Sequence, residues 1–146
     1  MSWRNLRVDG AGRSLTLPKT NTLEIHAEIV LTTAEGIDLA FKNGPGGAQP
    51  LILNFSHSEF KVMDASAALP PDNGGRRLSL RIFIDRSVLE VFANGIVCVT
   101  KVIAPLEANP TLEIHAQGGS ANARQIEAWP MKSIWPAPAS EKTGSL

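Results

Sequence analysis

Tyrosine is absent from the 146 residues, and cysteine occurs once, as Cys98. A single thiol excludes an intrachain disulfide framework and any multi-cysteine metal site. An excess of charge is also missing: 14 Lys and Arg balance 14 Asp and Glu. The sequence therefore offers no electrostatic footprint for nucleic acid or for an anionic membrane surface. No apolar run approaches the roughly 20 residues that cross a bilayer. The opening Met1-Ser2-Trp3-Arg4-Asn5 lacks the apolar core of a secretory signal. A cytoplasmic setting and secretion with a larger parent both remain open.

What is present is an ordinary globular composition, 43% hydrophobic and 19% charged, which separates the chain from disordered sequences. The length suits one domain with a core of its own. Period-two alternation dominates. Leu23, Ile25, Ala27, Ile29 and Leu31 alternate with Glu24, His26, Glu28 and Val30, and Leu78, Leu80, Ile82 and Ile84 repeat the pattern. Successive strand side chains point to opposite faces, so each run is a strand with one buried face. Shorter runs of strand composition cover 14–17, 37–41, 51–55, 60–63, 88–93, 96–102, 112–116 and 123–128.

Turn chemistry separates these runs. Asn94-Gly95 is a two-residue hairpin signal, because both central residues of a type I′ turn need positive φ. Asp85-Arg86-Ser87 is a tight connection, and 44–47 and 70–75 read as Gly- and Pro-rich loops. The one stretch with helix-forming residues, 63–69, has room for a single turn capped by Asp64. The expected fold is all-β: a two-sheet antiparallel β-sandwich (a concanavalin-like jelly roll) of about ten short strands, spanning 1–135. The polar, Pro/Ala/Ser-rich 136–146 reads as a loose tail beyond Trp135. Leu23-Glu24-Ile25-His26-Ala27 is echoed by Leu112-Glu113-Ile114-His115-Ala116. The flanks differ, so the echo is read as coincidence under strand constraints rather than as a repeat.

Chemistry is sparse. His26, His57 and His115 are far apart in sequence; His26 and His115 share an out-facing phase, are expected to be solvated, and are candidate neighbours across a ladder. No metal site and no cofactor are expected. Cys98 lies between Val97 and Val99 and reads as a buried small hydrophobe. No nucleophile elbow and no phosphate-cradling loop is present. Asp85 and Glu90 are the carboxylate pair of most interest. Glu90 shares a face with Val88 and Phe92, so it must be solvated or paired, with Arg86, Arg81 or Lys101 as candidate partners. Trp3 and Trp135 are the candidate aromatic platforms for a sugar. Trp129 and Trp135 read more simply as core or interface anchors.

The segment Leu80-Arg81-Ile82-Phe83-Ile84-Asp85-Arg86-Ser87-Val88-Leu89-Glu90-Val91-Phe92-Ala93-Asn94-Gly95 resembles the marker of a known family. That family is the C-terminal β-sandwich of glycoside hydrolase family 32, the β-fructosidases (invertases, levanases and inulinases). Gly12-Arg13-Ser14-Leu15 ahead of the first long strand and Ala128-Trp129-Pro130-Met131-Lys132-Ser133-Ile134-Trp135 at the end are similar as well. The family usually has Asn-Asp-Gly where this chain has Asn94-Gly95-Ile96, and often Val-Asp-Arg where it has Val62-Met63-Asp64-Ala65.

The resemblance places Asp85, Arg86, Ser87, Glu90, Phe92, Asn94 and Gly95 in a structural hairpin. It also implies a β-propeller partner, on the same or a separate chain, that holds the catalytic carboxylates. Neither the Asp-Pro nor the Glu-Cys dipeptide of that machinery occurs here, so no catalytic residue is carried over. The resemblance thus implies a non-catalytic module that supports the propeller, the cleft wall or dimerisation. A free-standing fructan- or carbohydrate-binding module is the alternative, with a fructan or sucrose-type sugar as ligand. A second copy of the chain is a third candidate partner.

Overall fold

The computed structural model describes residues 1–42, 51–56, 58–69, 76–106 and 109–131. Those residues form twelve strands and no helix. They are β1 (Ser2–Val8), β2 (Arg13–Thr16), β3 (Thr22–Val30), β4 (Gly36–Lys42), β5 (Leu51–Ser56), β6 (Glu59–Val62), β7 (Ala65–Ala68), β8 (Arg77–Asp85), β9 (Val88–Ala93), β10 (Val97–Val102), β11 (Thr111–Gln117) and β12 (Ala121–Pro130). Every pairing is antiparallel. Two six-stranded sheets result, ordered β1-β12-β3-β8-β9-β10 and β2-β11-β4-β5-β6-β7. We call them the first and second sheet.

Alternation explains the layering. In β3 the odd positions Leu23, Ile25, Ala27 and Ile29 are buried and the even positions are not. In β8 the buried set is Leu78, Leu80, Ile82 and Ile84. β11 contributes Leu112, Ile114 and Ala116, and β5 and β6 contribute Leu53, Phe55, Phe60 and Val62. Phe55 and Phe60 stack at 5.6 Å between ring centroids. These side chains form one continuous layer between the sheets. Among the described residues no polar or charged one is buried. Burying each large aliphatic or aromatic side chain contributes about 1.5–3 kcal/mol, against the conformational entropy of ordering the chain.

Several expectations need correction. β1 and β7 were not visible as strands in the pattern. Residues 63–69 make no helical turn: Met63 takes positive φ, 56°, and 65–68 pair with β6. Ladder bonding and burial of Leu69 override the helical preference of an Ala-rich stretch. His26 and His115 are not ladder neighbours, because β3 and β11 lie in different sheets. Cys98 is exposed. Val97 and Val99 carry the inward phase of β10, which sends Cys98 outward. The loops at 44–47 and 70–75, His57, Trp135 and the tail 136–146 lie outside the described residues.

Candidate docking face

The hairpin β8–β9 positions the marker residues. Asp85 pairs with Val88 across a two-residue connection, and Arg86 there has φ 55°. Its N–H donates to Asn21 O at 2.8 Å, which fixes the turn against the start of β3. At the other end of β9, Asn94 (φ 51°) and Gly95 (φ 69°) both have positive φ, and Ile96 N–H bonds Ala93 O at 3.2 Å. The positive φ values are those the Asn-Gly pair predicts, but Ala93 pairs with Val97, so three residues, 94–96, connect the strands where two were expected. Asn94 is further held by β8: its Oδ1 accepts from Ser79 N–H at 2.9 Å, and its N–H donates to Ser79 O at 2.8 Å.

Register then assembles the outer face of the first sheet. Trp129, Glu24, Phe83 and Glu90 lie in one row across β12, β3, β8 and β9. The next row runs Glu127, His26, Arg81, Phe92 and Cys98. A third contains Thr22, Asp85, Val88 and Val102. Trp129 meets His26 edge-on at 4.9 Å, Phe83 meets Phe92 edge-on at 5.9 Å, and the Arg81 guanidinium lies 5.3 Å from the Phe83 ring. Phe92 is 37% exposed and Val102 76%. The face is therefore aromatic and apolar, crossed by charges.

Those charges are mostly committed. On this face Arg81 pairs with Glu24 at 3.3 Å; Lys101, in the inward phase of β10, pairs with Asp64 at the β6–β7 turn. The Lys101 ammonium holds the Asp64 carboxyl below its ordinary range, chiefly through their hydrogen bond. Glu90 thus has neither of these cations as its partner, and no ion pair among the described residues involves Arg86. Glu90 is half-exposed and solvated instead.

Asp85 and Glu90 do line one recess of about 280 Å³, with Phe83, Val88 and Met131. Asp85 is exposed at the end of β8. The recess lies on the sheet surface and is bordered by that exposed carboxylate. Trp3 is half-buried and packs against the core from β1. Among the described residues no cluster of His, Cys, Asp or Glu has the arrangement of a metal site.

The outer face of the second sheet differs. Asp38 accepts from Asn54 Nδ2 and from Gln117 Nε2, each at 2.6 Å. Lys42 pairs with Glu113 at 2.8 Å. These polar side chains pair with one another, and Ile52, 47% exposed, is the large apolar side chain beside them. The face of the first sheet is the one that gathers aromatic side chains with exposed Val88, Phe92 and Val102. Which face would carry it was not legible beforehand; Trp129 and Phe83 reach it only through the non-local pairings β12–β3–β8.

Residues 7–130 match the family model described as glycosyl hydrolases family 32 C terminal. A levanase from Bacillus subtilis (strain 168) is 28% identical over 153 aligned residues, which cover 91% of this chain and 22% of the levanase. A levanase from Bacillus sp. (strain L7) is 27% identical, with 77% of this chain and 14% of the levanase covered. The chain thus spans less than a quarter of the length of these relatives. The exo-inulinase from Aspergillus awamori shares the fold with a TM-score of 0.71 at 18% identity, covering 92% of this chain and 29% of that one.

Proposed function

The chain belongs to the C-terminal domains of glycosyl hydrolase family 32, and on that premise we propose that it is a non-catalytic β-sandwich that supports a β-propeller catalytic domain. The outer face of the first sheet is the surface that meets the propeller. The observation that carries this reading is the placement of Phe83, Val88, Phe92 and Trp129 on one open face, partly exposed, with the core already complete behind them. Burial of that aromatic area, with Glu24, Glu90 and Arg81 left to hydrogen-bond at the rim, is what a domain interface needs. The parent activity is fructosidase chemistry on a sucrose- or fructan-type substrate.

The test is hydrolysis by the chain alone. Incubated at high concentration with sucrose, inulin or levan, it releases no reducing sugar above the buffer blank. Release that disappears in Glu90→Gln or Asp85→Asn would overturn the reading.

The recess between Phe83, Asp85 and Glu90 supports a second reading, carbohydrate binding by the module itself. Calorimetric titration with inulin oligosaccharides at millimolar concentration separates the two. Binding heat lost in Glu90→Gln favours a sugar site, and absence of heat favours a docking face alone.

A further inference from the structure

The outer face of the first sheet gathers cations at the end away from its aromatic rows. The chain as a whole is balanced, with 14 basic and 14 acidic side chains. Yet the outward positions in and between the rows through Glu28 and Val30 hold Arg4 and Arg7 on β1, Arg124 on β12 and Arg77 on β8, with Glu28 on β3 as their one carboxylate. All four arginines are exposed. No ion pair among the described residues involves them. Asn122, in the row of Val30, keeps a buried Oδ1 that accepts no hydrogen bond among the described residues. Like charges gathered on one surface raise the local potential for an ion of the other sign.

A bulge builds a recess among them. Ala123 pairs with Ile29 and Gln125 with Glu28, so Arg124 is an extra residue in β12. Ala123 and Ile126 are buried, and Arg124 and Gln125 both turn outward between them. β8 and β12 flank β3 and stand about 10 Å apart. The short side chain of Val30 lies between the longer ones of Arg77 and Arg124. The resulting recess, about 320 Å³, is bounded by Arg77, Arg124, Gln125 and Glu28, with Ile29 and Val30 between them. Glu28 Oε1 accepts from Ser79 Oγ at 2.6 Å, and among the described residues no hydrogen bond engages its Oε2. Gln125 donates its Nε2 to Glu127, and its Oε1 is likewise left over among the described residues. The lining thus sets two guanidiniums beside two acceptors. Along β3, Val30 lies about 20 Å from Glu24 of the aromatic end.

We propose that this recess binds a small hydroxylated anion, of the class of sugar phosphates and sugar acids. Its anionic group sits between the guanidiniums of Arg77 and Arg124, and its hydroxyls donate to Glu28 Oε2 and Gln125 Oε1. Guanidinium forks match the oxygens of a phosphate or a carboxylate. A neutral sugar would leave both arginines unpaired. A bare anion would face the Glu28 carboxylate with no donor between them. A hydroxylated anion meets both requirements, and the volume suits a molecule of monosaccharide size. Arg4 and Arg7 add attraction at longer range, which fades with salt. The site uses neither the aromatic end of the face nor a partner domain, so it is independent of the propeller reading.

Calorimetric titration of the full chain at low salt tests it, with glucose 6-phosphate, glucuronate, inorganic phosphate and glucose as probes. At least one of the two sugar anions binds, and the tighter of them identifies the anionic group the site prefers. Glucose gives no heat at the same concentration. The simple anion binds about tenfold more weakly than the preferred sugar anion, for want of hydroxyl donors. Arg77→Ala and Arg124→Ala each weaken binding about tenfold or more, the loss of a charge-assisted hydrogen bond. Glu28→Ala narrows the gap between glucose 6-phosphate and inorganic phosphate. Lys19→Ala, which removes an exposed cation beyond the far end of β3, leaves binding unchanged. All four replaced side chains are exposed, so thermal melts of the variants stay close to that of the parent. No heat with either sugar anion at millimolar concentration, inorganic phosphate bound as tightly as the sugar anions, glucose bound as tightly as they are, or a loss as large in Lys19→Ala as in Arg124→Ala would each overturn the proposal.

Discussion

Glu24 and Glu113 hold matching stations on opposite outer faces of the sandwich. Each precedes a histidine by two residues on an interior strand and lies against it: His26 Nε2 is 2.9 Å from Glu24, and His115 Nε2 is 3.3 Å from Glu113. Each also takes a cation from the next strand, Arg81 for Glu24 and Lys42 for Glu113. The echo in the sequence thus has a structural counterpart, a carboxylate set diagonally between a histidine and a base. The two differ in one respect. Arg81 Nε also donates to His26 Nε2 at 3.0 Å. A ring nitrogen that accepts from Arg81 cannot donate to Glu24, so only one of those two contacts is a hydrogen bond at a time.

The Glu113 cluster makes a pH-dependent contribution to stability. Hydrogen bonds from Lys42 and then His115 hold the Glu113 carboxyl below its ordinary 4.5. A carboxylate with a folded pKa below its unfolded one stabilises the fold above the unfolded value, and that stability is lost as pH falls through the folded one. Glu113→Gln should therefore cost about 0.5 kcal/mol at pH 7, and the difference should shrink at a second, acid pH below the ordinary 4.5. Urea unfolding of the two chains at both pH values checks it. A gap that persists unchanged in acid would show that the carboxylate charge is not its source.

Asn94 and Gly95 share one turn but differ in what they hold. Asn94→Ala removes the acceptor of the Ser79 N–H and leaves a residue less tolerant of φ 51°. The cost should be about 1–3 kcal/mol for the orphaned donor, with about 1 kcal/mol of backbone strain in addition. At Gly95 a Cβ would touch nothing within 4 Å, so Gly95→Ala should cost only the strain of φ 69°, about 1–2 kcal/mol. Midpoints of denaturant unfolding that rank the two in reverse would refute this division.

Gly36 opens β4, buried between β11 and β5. A Cβ there would lie 2.5 Å from Phe55 O, a backbone atom of the paired strand. Neither partner can swing aside without parting the β4–β5 ladder. Gly36→Ala should destabilise the chain by about 1–3 kcal/mol, read as a lower melting temperature. A neutral result would mean that the two strands separate at this end without loss.

The layers of this fold were legible because alternation is local: β3 and β8 announce their buried faces residue by residue. The partners of each strand were not legible, since β3 pairs with β12 and β8 while its sequence double β11 pairs with β2 and β4. Nothing within five residues distinguishes those fates, so His26 and His115 looked adjacent and are not. Cys98 was misplaced for a different reason. Its neighbours are both valine, and apolar neighbours hide the phase of a strand unless the positions beyond them are counted. Thr100 and Val102 share the phase of Cys98 and mark it as outward. For the docking face, Glu90 and Phe92 were placed correctly on one side with Val88, but Trp129 and Phe83 join them only through long-range register.

β9 offers the sharpest separation of folding from docking, because adjacent residues face opposite ways. Leu89 is fully buried between the sheets, while Phe92 is 37% exposed and touches Phe83 edge-on. Leu89→Ala removes core volume that the closed layer cannot refill, and should cost about 2–5 kcal/mol. Phe92→Ser gives up one edge-to-face contact, worth about 0.5–1.5 kcal/mol, and leaves the layer behind it intact. If Phe92 serves an interface, its replacement should spare the isolated chain and loosen the joined enzyme. Differential scanning calorimetry of the chain, and of a longer polypeptide that includes its propeller, reads both effects. Equal losses from the two substitutions in the isolated chain would make Phe92 a core residue and remove the outer face of the first sheet as the docking surface.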